Sequence, residues 1–249
     1  MKLNSKLTQR LFLCVAPLVT GSVFIALPGF AATTATSGAL VNIDNFSHNP
    51  SDVTTLTDTN TLTIATDGNV SANANAEASF LVAPSTPVTQ AYNTSFSTVN
   101  GDGNNYFGQA DSFAGLIGYD FTIGAGETFS FNFNTFLGLE TSVDNPSFES
   151  TSAAGNISFV LFDSSDLNNP IDFFTLNGNL ASQGGNDYIN SQNSASINLI
   201  SNDTKSSFGG MQESAVASIQ GLFSRTFYSL THLTLIEGKV NQVSACALQ

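Results

Sequence analysis

Basic side chains are nearly absent from this sequence, which has six Lys and Arg residues against 19 Asp and Glu residues. No Lys or Arg lies between Arg10 and Lys205. Because so acidic a surface repels phosphate backbones and anionic lipid headgroups, we expect no nucleic-acid partner and no anionic membrane partner. The charge is compatible with neutral glycans, with divalent cations or with a purely solubilising role.

The residues that most active sites require are also scarce. Tryptophan is absent and there are two histidines, His48 and His232, neither of which has a second histidine at metal-ligand spacing. Nucleophile elbows and phosphate-binding glycine loops are missing as well. We therefore predict that the protein is not an enzyme. A two-carboxylate glycosidase is the open alternative, with Glu127, Glu140 and Glu149 as candidate acids.

The amino terminus has the layout of a secretory signal peptide. A basic start at residues 1–10 precedes an apolar core at 11–27, and small side chains lead to a cleavage site between Ala31 and Ala32. Cleavage there leaves no stable membrane span and a formal charge of 3 − 19 = −16. The expected location is extracytoplasmic, either secreted or at the cell surface.

Cysteine content excludes an internal disulfide in the mature chain. Cys14 leaves with the signal, so Cys246 is predicted to be a free thiol. Intermolecular crosslinking through this thiol is the alternative role.

Period-two alternation of apolar and polar side chains runs through most of the mature chain and predicts β-strands. In the clearest stretch, Phe129, Phe131 and Phe133 share one face. A Gly-rich segment at 124–127 is predicted to join this strand to the preceding one as a hairpin. A second hairpin is predicted over residues 224–239.

Ten or so short strands without helical stretches predict an all-β fold. The expected architecture is an antiparallel two-sheet β-sandwich of jelly-roll type. The predicted divisions are the signal peptide at 1–31, a polar spacer at 32–39, the sandwich domain at 40–240 and a frayed tail at 241–249.

Calcium is the ion that this composition favours, because hard cations take oxygen ligands from Asp and Asn. The best cluster has Asn100, Asp102 and Asn104 at odd spacing and Asp111 at the twelfth position, a loose imitation of an EF-hand loop. Its sixth position is Asn105 where a glycine is expected. The alternative is a polar turn between strands without a cation.

Two segments resemble cyanobacterial exported proteins of the PEP-CTERM class. The carboxyl-terminal segment fits their motif at Gly221, Phe223, Arg225, Phe227, Ser229, Thr231, Leu233, Thr234, Leu235, Ile236, Glu237 and Lys239. The block YDFTIGAGETFSFNF is similar to the same family's central hairpin, at Tyr119, Phe121, Gly124, Gly126, Glu127, Phe129 and Phe131. The resemblance implies an exosortase-processed protein of the cell surface or extracellular matrix.

The family's sorting tail does not follow this motif in the printed sequence, which ends in VSACALQ. Either the protein is released instead of anchored, or a frameshift or premature end removed the tail. The sequence thus predicts a non-catalytic exported protein with a structural or adhesive role, whose partners are extracellular polysaccharide or envelope components. The alternative function is a carbohydrate-binding module with structural calcium.

Overall fold

Extended segments with alternating buried and exposed side chains make up most of the part of the chain that the structure describes. The computed structural model describes residues 33–82, 89–182 and 184–248, and these residues contain no helix. The strands are β1 (Thr33–Asp44), β2 (Asp52–Leu81), β3 (Gln90–Ile123), β4 (Thr128–Ser142), β5 (Glu149–Asp163), β6 (Asp166–Ala181), β7 (Tyr188–Asn193), β8 (Ile197–Ser207), β9 (Gln212–Thr226) and β10 (Thr231–Leu248). The all-β prediction is confirmed.

The strands belong to one antiparallel sheet, so the predicted two-sheet, jelly-roll-like sandwich is wrong. The order is β7-β6-β5-β10-β3-β1-β4-β9-β8, and β2 pairs with β3 beside this path. The sheet curls until its end strands β7 and β8 approach each other, which gives a nearly closed barrel. A single sheet results because β3 belongs to two opposite walls of the barrel. Its first part pairs with β1 in one wall, and its second part pairs with β10 in the other.

Close backbone contact lets the long β2–β3 ladder change direction. Gly68 and Gly103 are paired across it with φ values of 133° and 114°. A Cβ added to Gly103 would lie 2.4 Å from the Cα of Gly68. Both positive φ and this close approach require glycine. The glycine-rich segment around Gly103, expected to form a turn or cation loop, is therefore an irregular part of a strand.

The two predicted hairpins are also absent from the described residues. β3 and β4 are not paired, because β1 lies between them in the sheet. β9 pairs with β4 and β8, whereas β10 pairs with β3 and β5. The connecting turns instead meet at one end of the barrel, where the Gly126 amide donates a 2.7 Å hydrogen bond to the carbonyl of Phe227.

Phenylalanines fill the core at that end of the barrel. The predicted inward face of β4 is confirmed, since Phe129, Phe131 and Phe133 are all buried. Phe131 stacks on Phe223 of β9 with ring centroids 5.0 Å apart, and Phe133 contacts Phe159 of β5 at 4.9 Å. Burial of each such side chain contributes about 1.5–3 kcal/mol relative to leaving it exposed.

Both predicted flanking segments lie in strands. Of the expected spacer, residues 33–39 form the start of β1, where Ala35, Ser37 and Ala39 point inward and are buried. Small side chains fit here because the opposite wall approaches closely. Of the expected frayed tail, residues 241–248 complete β10 and pair with both β3 and β5.

Candidate functional site

Strand β2 forms a free edge of the sheet. Among the described strands it pairs only with β3, so its outer row of backbone N–H and C=O groups faces away from the sheet. Both faces of residues 54–69 are exposed. One face carries Leu56, Leu62 and Ile64, which are 62%, 45% and 56% exposed. An edge with these properties is available for pairing with another chain.

The bend at Gly68 brings two parts of β2 around a cleft. Its volume is about 440 Å³, and its lining residues are Thr55, Leu56, Thr57, Ala76, Glu77, Ala78, Ser79 and Tyr92. Burial, followed by the negative charge of Glu77, raises the pKa of Tyr92 above its usual 10.0. The cleft therefore offers hydroxyl groups, one carboxylate and one phenol ring to a ligand.

Amide and carboxyl side chains continue from Tyr92 across the outer face of the sheet. Tyr92 is paired with Asn42, whose amide oxygen accepts a 2.8 Å hydrogen bond from Gln90. The Asn42 amide in turn donates to Asp44 at 3.4 Å. Partial burial raises the pKa of Asp44 above its usual 3.8. Such amide-rich faces suit hydrogen bonding to neutral hydroxylated ligands.

The four residues predicted to bind calcium all lie in β3, two before and two after the bend at Gly103. Asn100 accepts a 3.2 Å hydrogen bond from Thr34, and Asn104 donates one of 2.9 Å to Asp67. Asp111 accepts one of 2.9 Å from Gln109. At the rise of a β-strand, Asn104 and Asp111 are about 23 Å apart, whereas calcium ligands surround one point. The structure thus brings Asp111 to a different part of the strand from the Asn100, Asp102 and Asn104 group.

Two candidate acids of the glycosidase alternative, Glu127 and Glu140, lie far apart along the chain direction of β4. Glu127 lies in the turn before β4 and Glu140 near its far end, about 40 Å away at the rise of a β-strand. Glu149 accepts two 2.8 Å hydrogen bonds from the backbone amides of Asp144 and Asn145. A glycosidase needs its two carboxyl groups about 5–10 Å apart. In the described ranges no three His, Cys, Asp or Glu side chains form a cluster that could hold a metal ion.

Each histidine is paired with a carboxylate at the Phe-rich end of the barrel. His48 Nε2 lies 3.2 Å from Glu127 Oε2, and His232 Nδ1 lies 2.5 Å from Asp120 Oδ1. A backbone hydrogen bond from Gly124, followed by the contact with His48, lowers the pKa of Glu127. The first pair joins the segment after β1 to the turn before β4, and the second joins the neighbouring strands β3 and β10.

Cys246, the predicted free thiol, is unbridged and half-buried in β10. Its Sγ lies 3.1 Å from the hydroxyl of Ser150. The predicted cleavage site at Ala31 and Ala32 lies outside the described residues.

A polar cluster inside the barrel was not predicted from the sequence. Glu237, Lys239 and Asn241 point inward from β10 and are at most 1% exposed. Asn93 of β3 contacts Glu237 through its side-chain amide, and its backbone carbonyl accepts a 2.6 Å hydrogen bond from Lys239. Ser37 of β1 donates a 2.7 Å hydrogen bond to Asn241. The cluster thus joins the two opposite walls of the barrel.

Comparison with known proteins identifies no relative: no family model matches the chain, and no curated protein or solved structure is detectably similar. Within the described residues, no helix is long and apolar enough to cross a membrane.

Proposed function

We propose that this protein is an exported, non-catalytic component of the cell surface or extracellular matrix with a structural or adhesive role. The observation that carries the proposal is the free edge of β2, a 30-residue strand with both faces exposed over residues 54–69. The resemblance of its carboxyl-terminal segment to PEP-CTERM proteins is consistent with the same role.

The composition of this edge supports a role in association. Natural sheet edges are usually protected by Lys, by Pro or by short length. Residues 52–81 contain neither Lys nor Pro, and the strand is long. Its exposed side chains are mostly Thr, Asn and Asp, interrupted by the apolar Leu56, Leu62 and Ile64. A partner strand can therefore gain backbone hydrogen bonds and apolar contacts at this edge.

A second copy of the chain fits the edge in one specific register. Antiparallel pairing of two β2 strands about Thr59 sets Leu62 opposite Leu56 of the second copy and Asn60 opposite Asp58 of the second copy. No two acidic side chains face each other over residues 54–64 in this arrangement. A register shifted by two residues places Asp58 opposite Leu62 of the second copy in one direction and opposite Asp58 of the second copy in the other. Cross-strand complementarity thus favours an isologous pair.

The test uses the chain expressed with its own amino-terminal segment and recovered from outside the cells. We expect the recovered protein to co-sediment with envelope fragments or with extracellular polysaccharide, and to form dimers in sedimentation velocity. Retention inside the cells would contradict export. A monomer that stays in the supernatant with every surface preparation would contradict the structural and adhesive role.

The cleft beside Tyr92 favours a second candidate, a carbohydrate-binding module. Tyr92 offers a ring face, and Glu77, Thr55 and Ser79 offer hydrogen-bonding groups around it. A glycan array tests this candidate, with Tyr92→Ala as the site variant. Binding that Tyr92→Ala abolishes would support the module, and an array without hits would remove it. The calcium component gains no support from the described residues.

A further inference from the structure

The inward face of β10 carries a lysine and a glutamate two residues apart, and both are completely buried. Lys239 Nζ lies 3.8 Å from Glu237 Oε1, and neither side chain has solvent-exposed area. Burying a charge of either sign is costly unless the pair is fully hydrogen-bonded. The arrangement calls for a role beyond packing.

Asn93 faces both groups from the first part of β3. Lys239 donates its 2.6 Å hydrogen bond to the Asn93 backbone carbonyl, which holds the amine close to the backbone of Asn93. The Asn93 carboxamide contacts Glu237 Oε2. An amine, a carboxamide and a carboxyl group are thus held together in a water-excluded interior, with Asn93 itself fully buried.

The hydrogen bonding of this group is incomplete as it stands. Within the described residues, Asn93 Oδ1 and Glu237 Oε1 are buried without a hydrogen-bond partner. Unsatisfied buried polar atoms are rare in folded proteins and call for an explanation. A half-turn of the Asn93 carboxamide about its terminal torsion exchanges its oxygen and nitrogen. A protonated Glu237 then donates its O–H to the carboxamide oxygen.

Burial also favours the protonation states that reaction requires. It raises the pKa of Glu237 to about 7, although the charge of Lys239 and the contact with Asn93 act in the opposite direction. It lowers the pKa of Lys239 to about 8, against the attraction of Glu237. An uncharged amine is a nucleophile, and a neutral carboxylic acid can donate a proton.

We propose that Lys239 and Asn93 form an intramolecular isopeptide bond, with Glu237 as the proton-transfer group. The Lys239 Nζ lone pair attacks Asn93 Cγ while Glu237 protonates the carboxamide oxygen. Glu237 then moves a proton from Nζ to Nδ2, the Cγ–Nδ2 bond breaks and ammonia leaves. The O–H proton returns to Glu237 as the C=O double bond re-forms. One amide replaces another, so no oxidant, reductant or cofactor is consumed. The reaction is favoured because the amine, the carboxamide and the carboxyl group are held close together in a rigid site without water.

The bond would tie opposite walls of the barrel together. Asn93 lies in the part of β3 that pairs with β1, whereas Lys239 lies in β10, and 146 residues separate them in the chain. A crosslink over so long a loop restricts the unfolded chain strongly. It would give covalent reinforcement to a structure in which Cys246, the cysteine of the described residues, is unbridged.

Intact-mass measurement of the folded, exported protein under denaturing conditions tests the proposal. We expect a mass lower than that of the processed sequence by one ammonia, and a branched peptide containing Asn93 and Lys239 after digestion. Trypsin should fail to cut after Lys239. The branched peptide distinguishes the crosslink from ammonia loss at another asparagine. Folded protein with the full sequence mass, or ammonia loss without the branched peptide, would overturn the proposal.

Two variants separate the chemistry from folding. Glu237→Gln keeps the shape of the side chain but cannot transfer the proton, so we expect a folded protein with the full sequence mass. Lys205→Met removes an exposed lysine and should leave the ammonia loss unchanged. If Glu237→Gln formed the branched peptide as completely as the natural chain, Glu237 would have no part in the reaction and the proposal would fail in that form.

Discussion

Arg225 of β9 reaches across the gap in the barrel to Asp172 of β6, with Nη1 2.7 Å from the carboxylate oxygen. It also donates a 3.2 Å hydrogen bond to the carbonyl of Ile171 and lies 5.5 Å from the ring centre of Phe227. Asp172 is 4% exposed, so Arg225 is the partner that compensates the burial of its carboxylate. The contact therefore holds β6 and β9 together where the sheet is not closed by backbone pairing.

Replacing Arg225 should destabilise the barrel by leaving the Asp172 carboxylate buried and unpaired. We expect Arg225→Met to lower the free energy of unfolding by about 1–3 kcal/mol, since the exposure of the arginine screens the pair. Arg225→Met combined with Asp172→Leu should recover most of the loss. Lys205→Met is the control, because the pair of Lys205 with Asp203 is exposed on both sides. Denaturant unfolding measures all three, and equal effects of Arg225→Met and Lys205→Met would contradict the role of this contact.

Gly221 marks a position where the core has no room for a side chain. A Cβ there would lie 2.2 Å from the ring of Phe133. We expect Gly221→Ala to cost about 1–3 kcal/mol in unfolding free energy, because the Phe133 ring must shift within a packed cluster. Gly185→Ala is the matched control, since a Cβ at Gly185 meets nothing within 4 Å. The midpoint of thermal unfolding should be clearly lower for Gly221→Ala than for Gly185→Ala. Similar midpoints would show that the core accommodates the added methyl group, which would contradict this prediction.

Glu127, in the turn between β3 and β4, makes a pH-dependent contribution to the stability of the fold. Its pKa is lowered from the usual 4.5, first by the backbone hydrogen bond from Gly124 and then by His48. A lowered folded-state pKa means that the carboxylate stabilises the fold above pH 4.5, and that this contribution is lost as the pH falls through the folded-state pKa. Glu127→Gln should therefore unfold at a lower temperature than the natural chain at pH 7. The two midpoints should converge at acid pH, and a constant difference across the range would contradict this account.

Alternation along the strands predicts which side chains face inward but not which strands are neighbours. The inward positions of Phe129, Phe131 and Phe133 follow directly from period two. The pairing of β3 with β10 does not, because a strand's own pattern carries no information about its partner. The glycines at 101 and 103 are typical of a turn, whereas Gly103 allows a close backbone approach inside a strand. The two-sheet prediction failed because alternation does not show which strands are neighbours.

The buried cluster left a signal in the sequence that alternation could have revealed. Period-two alternation puts Leu233 and Leu235 on one face of the final strand. A bulge in the pairing with β3 lies between them, yet the same parity continues to Glu237 and Lys239 and puts both on the inner face. Asn93, more than 140 residues away, could not be matched to them without the fold. The cleft beside Tyr92 likewise depends on the bend at Gly68.

The most direct test of the proposed function compares the natural chain with an edge variant, Ile64→Lys, in co-sedimentation with envelope fragments and extracellular polysaccharide. Ile64 is 56% exposed on β2, and a charge there blocks strand addition at the edge. Leu230→Lys is the control, with the same charge change at a position 64% exposed in the turn before β10. We predict at least a severalfold loss of the sedimented fraction for Ile64→Lys and none for Leu230→Lys. Equal sedimentation of all three proteins would contradict the claim that the β2 edge carries the association.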